Sequence, residues 1–197
     1  QITQLYMALG GIPHHLKEVE KGRSAIQNIN RICFSQNGLL RNEFSRLYPA
    51  LFANADHHIS VIRALATTWK GLTRKEIMKF SNIPEGSSTT RTLEELEHSG
   101  FISSYRPFRK QKNGKVYRLT DEYSLFYIHF IEKRKRNIRG AWQALSQTSI
   151  FTSWSGSAFE SICLKHLTPI KKALEINGIY AEPSSFLFQG NDVLPGT

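Results

Sequence analysis

Ser88, Thr89, Thr90 and Arg91 open a helix-like run, and Arg106, Arg109, Lys110, Lys112 and Lys115 follow in a short polar stretch. These residue types share one chemistry. Hydroxyls and backbone N–H groups at a helix start accommodate phosphate oxygens, while guanidinium and ammonium groups replace the counterions around a polyanion. The net charge of the chain is +10. Residues 101–120 hold six Lys/Arg and no acid, and residues 131–140 hold Lys133, Arg134, Lys135, Arg136 and Arg139 against Glu132. These two segments account for the whole excess. The plainer reading of a charge run is a solvated loop or helix face. A local excess also suits a surface that steers and grips a polyanion.

Regular elements must position these groups. Leu72–Ile77 reads as a short amphipathic helix, Ile83–Gly86 as a turn and Ser87–Glu97 as a second helix. Gly100-Phe101-Ile102 ends that helix and starts a strand, the basic loop follows, and Val116–Leu119 forms a second strand. Helix, turn, helix and basic hairpin in this order are the parts of a winged helix, which places a helix in the DNA major groove. A preceding helix spans residues 56–70, with Asp56 as its N-cap and Ile59, Ile62, Leu65 and Ala66 as its buried stripe. Thr73 and Glu76 have capping-box spacing. Ile77, Phe80, Leu93 and Leu96 are expected inside, and Ser88, Thr89, Thr90 and Arg91 outside.

Residues 1–52 read as a helical segment, broken at Gly10-Gly11-Ile12-Pro13 and turned at Asn37-Gly38. Residues 53–136 form the winged-helix domain and its trailing helix, whose Tyr123, Leu125, Phe126, Tyr127, Phe130 and Ile131 suit core packing better than base stacking. Residues 137–152 read as a polar linker. Residues 153–197 read as a partial α/β piece, with a helix from Trp154 and strands at Ile179-Tyr180 and Ser185–Phe188. The expected fold class is mainly α with a small β-hairpin.

Complete catalytic sites are not evident, so no catalytic or metal-binding residue is assigned. Cys33 and Cys163 are far apart and read as reduced core thiols. His14-His15 and His57-His58 are adjacent pairs, which point about 100° apart on a helix and do not chelate as an i, i+4 pair does. The serines fall in no nucleophile elbow. Apolar runs are too short to cross a membrane, and Gln1-Ile2-Thr3 begins no signal peptide. The chain is therefore expected to be a cytoplasmic fragment.

Three segments carry a family resemblance: Tyr6–Leu16 with its Gly10-Gly11-Ile12-Pro13; the winged helix closed by Asp121-Glu-Tyr-Ser-Leu-Phe126; and Trp154–His166 with Gly156, Phe159 and Glu160. In this order they resemble the back half of prokaryotic AAA-type (archaeal-ATPase-like) ATP-binding proteins. The resemblance implies a helical lid-like bundle, a winged helix-turn-helix and the start of a restriction-nuclease-like domain. It also implies a preceding ATPase domain that binds ATP and Mg. A phosphate loop is absent from these residues, so the chain itself is assigned no cofactor. Glu160 stands at the one acidic position of the nuclease-like helix that is retained, and one carboxylate does not build a metal site.

The leading expectation is a DNA-binding and regulatory region of an ATPase. Duplex DNA, the protein's own ATPase domain and a second copy of the chain are the candidate partners. Glu94, Glu95 and Glu97 on the recognition helix support an alternative, a protein-interaction module that never meets DNA. Part of a metal-dependent nuclease is the third reading.

Overall fold

The computed structural model describes residues 1–105, 115–133, 140–176 and 178–179. The chain is mainly helical, with one small antiparallel sheet. Helix α1 (Ile2–Leu9) buries Met7, Ala8 and Leu9 and stops at Gly10, whose φ of 68° is in glycine's region. Pro13 is the first residue of α2 (Pro13–Leu16), where its missing N–H has no partner to lose. Helix α3 (Ala25–Ile29) starts at a capping box between Ser24 and Gln27 and runs on as a π turn, Asn30–Phe34. A 3-10 turn, Leu39–Arg41, leads to α4 (Phe44–Leu51).

The next elements carry the candidate site. They are α5 (Ala55–Leu65), β1 (Leu72–Thr73), α6 (Arg74–Ser81), α7 (Ser87–His98), β2 (Ile102–Tyr105) and β3 (Val116–Leu119). The sheet order is β1-β3-β2, with Thr73 opposite Val116 and Ile102 opposite Leu119. The capping box of α6 forms as its spacing requires: the Thr73 hydroxyl accepts from the Glu76 N–H, and Glu76 accepts from the Thr73 N–H. Asn82, at φ 56°, ends α6 in the left-handed conformation. Gly71 sits at φ 81° with the Tyr117 carbonyl against the place a Cβ would occupy. That contact lets β1 lie close to β3.

Beyond the sheet come α8 (Glu122–Phe126), a π turn at Tyr127–Ile131, α9 (Ala141–Leu145), α10 (Ser149–Lys165) and α11 (Leu167–Ala173). One hydrophobic cluster runs from Met7 to Ala158. In it Trp154 of α10 packs against Phe126, Phe130 and Trp142 at ring separations of 5.2–5.6 Å. The aromatic run after β3 is thus core, as its helical spacing suggests.

Several expectations are corrected. Asp56 is not the N-cap of α5; Asn54 holds that place, and Asp56 lies in the first turn beside the positive end of the helix dipole. Phe80 is 58% exposed rather than inside, because α6 ends one residue later and none of the described elements covers that turn. Within the stretch expected as a linker, Ala141–Leu145 is helical and buries Trp142. Ile179 lies in a bend, and Tyr180 and the strand expected at Ser185–Phe188 are outside the described residues. Among the described residues no helix is long and apolar enough to cross a membrane.

Candidate nucleic-acid interface

Helix α7 packs on α5, and its inner face, Thr89, Thr92, Leu93 and Leu96, is buried. This phase corrects the expectation for Thr89. It is fully buried, and its hydroxyl donates to the Pro84 carbonyl at 2.7 Å. Thr90 is half-buried, and its hydroxyl accepts from Arg74 Nη1 at 2.7 Å. Arg74 Nη2 also donates to the Gly86 carbonyl at 3.0 Å. Arg74 therefore clamps the turn before α7 to the start of α6. Ser88 and Arg91 remain on the exposed face, as expected.

The acids of α7 are mostly engaged within the protein. Glu95 Oε1 accepts from Arg91 Nε at 2.7 Å, and its Oε2 lies 2.9 Å from His58 Nε2. The Arg91 bond is the largest reason why the Glu95 carboxyl sits below its ordinary range. Glu97 accepts from the Ser104 hydroxyl of β2. Glu94 is exposed. Arg91 keeps its side chain 78% exposed while Glu95 holds its Nε, so its remaining N–H groups face outward.

Lys115 is exposed just before β3. Since Thr73 pairs with Val116, Lys115 and Arg74 adjoin at the same end of the ladder. The hairpin base thus comes up beside the start of α6 and the turn that Arg74 clamps. Arg106, Arg109, Lys110 and Lys112 lie outside the described residues, as do Arg134, Lys135, Arg136 and Arg139. Arg118, the remaining cation of the 101–120 excess, is buried and donates to Glu160 at 2.9 Å. That bond gives Glu160 a structural partner and leaves Arg118 no part in a polyanion surface.

Other chemistry finds little support. Cys33 is fully buried, and burial pushes its thiol far above the ordinary range, away from a nucleophilic thiolate. Among the described residues no three His, Cys, Asp or Glu side chains group as metal ligands do. A cavity of about 410 Å³ lies between β2 and α10, lined by Ser103, Tyr105, Arg118, Thr120, Ser161 and Lys165 among others. Its two cations are spoken for: Arg118 by Glu160, and Lys165 by Glu122 at 2.7 Å.

Residue type alone does not mark Arg74 or His58 as site residues. The signal for His58 is its spacing, three residues before Val61 and four before Ile62, on the buried face of α5. Arg74 offers only a position, the first residue after the N-cap of a capped helix. Compared with family models, curated proteins and solved structures, the chain finds no match.

Proposed function

We propose that α5, α6, α7 and the three-stranded sheet are a winged helix that binds duplex DNA, with α7 in the major groove. The element order from α5 to β3 and the strand order β1-β3-β2 support that assignment. One observation carries the reading. The outer face of α7 presents Ser88 and Arg91 with no acid in its first turn, while Glu95 and Glu97 are bonded inside the protein. Two of the three carboxylates that would repel phosphates are thereby tied to internal donors. Arg91 then reaches a base edge or phosphate, Ser88 meets the backbone, and Lys115 with Arg106, Arg109, Lys110 and Lys112 supplies backbone contacts from the wing.

The larger protein, on the resemblance of the three segments, is an ATP-binding protein of the AAA type, and this region regulates or targets it. ATP and Mg belong to that other domain. The nuclease reading is weakened, since the retained Glu160 is a partner of Arg118.

Titrating duplex DNA at several salt concentrations tests the DNA reading. Affinity should fall steeply with salt, and the slope should shrink by about one for each phosphate-contacting cation replaced by Ala. A flat salt dependence overturns the proposal. Phe80, exposed on α6, favours the protein-interaction reading. Protection of Phe80 from solvent by a protein partner, with no salt-sensitive DNA binding, would establish that reading instead.

A further inference from the structure

His58 is 1% exposed, and its ring stacks on Phe52 at 4.0 Å between centroids. Its Nδ1 lies 2.8 Å from the Asn54 carbonyl oxygen and its Nε2 lies 2.9 Å from Glu95 Oε2. A backbone carbonyl accepts and never donates, and the same holds for an ionised carboxylate. Arg91 keeps Glu95 in that ionised form by donating to its other oxygen. A ring with a single N–H would set a bare nitrogen lone pair against an oxygen lone pair at one of the two contacts. Only the doubly protonated ring satisfies both, and a buried polar group left opposed is costly.

We propose that His58 is a positioning residue, held as the imidazolium, that fixes Glu95 and through it the direction of Arg91 on the outer face of α7. The charges alternate along the row: His58 positive, Glu95 negative, Arg91 positive. Helix α7 contributes Glu95 and, behind it, Arg91. Helix α5 contributes Asp56, which is exposed, and His57, whose Nδ1 is bonded to Asn54 Nδ2 at 3.2 Å. The other elements packed on α5, namely α4, α6 and β3, bring no ionised group within ion-pair distance of the ring among the described residues. Among the described residues Glu95 is therefore the only counter-charge at the ring, and removing the His58 proton would leave Glu95 without its inward donor. The consequence for DNA rests on the function proposed above; the protonation state does not.

Nuclear magnetic resonance of the folded full chain at about pH 7 tests this without DNA. The His58 ring nitrogens, assigned by the signals that His58→Gln removes, should both carry protons. A bare ring nitrogen overturns the proposal. The Arg91 Nε–H should exchange at least about tenfold faster in His58→Phe, and an unchanged rate overturns the positioning role. Should His58→Phe fail to fold, Glu95→Gln alters only a partly exposed side chain: there the second His58 proton should be lost, and its persistence contradicts the account. Duplex binding separates the two readings. Arg91→Ala should weaken binding about tenfold in the wild type and less than twofold in His58→Phe. Equal losses in both backgrounds overturn the positioning role. No loss in either defeats DNA binding instead, and the nitrogen shifts then decide His58.

Discussion

Two arginine–glutamate pairs in this chain are mirror images. In Arg118–Glu160 the cation is inside, its side chain 10% exposed, and the carboxylate of α10 is 55% exposed. In Arg91–Glu95 the cation is outside at 78%, and the carboxylate leans inward to His58. Each pair lies within hydrogen-bond distance, so distance does not separate them. The buried end does. A guanidinium held under a sheet has given up its water and is committed to the fold, whereas one left in solvent still has N–H groups to offer a partner. Counting basic residues treats Arg118 and Arg91 alike; their surroundings commit the first to the fold and leave the second in solvent, where it can meet a partner.

The largest way to break this contrast is at α10, the helix expected to serve structure. Trp154→Ala should cost about 3–5 kcal/mol by removing the ring packed on Phe126, Phe130 and Trp142. Trp154→Phe should cost less than about 2 kcal/mol, because it also removes a buried Nε1–H with no partner among the described residues. Chemical denaturation measures both. If the alanine variant keeps wild-type stability, α10 does not anchor the core.

A crossed pair of substitutions is the next largest. Glu160→Ala strands a buried guanidinium and should cost about 1–2 kcal/mol, less than a fully buried pair because Glu160 is half in solvent. It should leave DNA affinity within about twofold. Arg91→Ala should change stability by less than about 0.5 kcal/mol and weaken DNA binding about tenfold. The opposite pattern would exchange the roles assigned to the two arginines.

The smallest effect is on pH. Glu76 and Glu95 both sit below the ordinary carboxylate value of 4.5, Glu76 through donation from the Thr73 backbone and Glu95 through Arg91. Each binds its proton more weakly folded than unfolded, so unfolding takes up protons. Their stabilisation is present above about pH 4.5 and fades as pH falls through the lowered folded values. His129 acts in the same sense, since burial first and Lys133 second disfavour its charged form. The acid limb of thermal stability should be shallower in Glu76→Gln and in Glu95→Gln than in the wild type. An unaltered limb in both would remove these carboxylates from the account.

Much of the middle of the chain was legible because local chemistry decides it. Thr73 with Glu76 announces a helix start, Gly100 a stop, and Val116–Leu119 a strand, and each lies where the residues put it. What failed was the assignment of faces. Thr89 lies four residues before Leu93 and seven before Leu96, so the buried stripe of α7 already included it; its polar type hid that. Phe80 lies three residues after Ile77 and shares its spacing, yet α6 is too short to bring a neighbour over it. Trp142 shares helical spacing with Ala141 and Leu145, but that apolar run is only five residues long, and the rings Trp142 meets lie far off in sequence or on other elements, the π turn Asn30–Phe34, α8, the π turn after α8, and α10. Long-range pairs such as Arg118–Glu160 leave no mark in either local segment.

The central claim is that Arg91, set outward by α7, meets a polyanion. The direct measurement is the affinity of the folded chain for a short fluorescent duplex across a salt series, in the wild type and in Arg91→Ala. The account predicts a steep linear fall of log affinity with log salt in the wild type, and a drop of about tenfold at every salt concentration on losing Arg91. Coincident curves for the two proteins, or binding that salt leaves untouched, would contradict it.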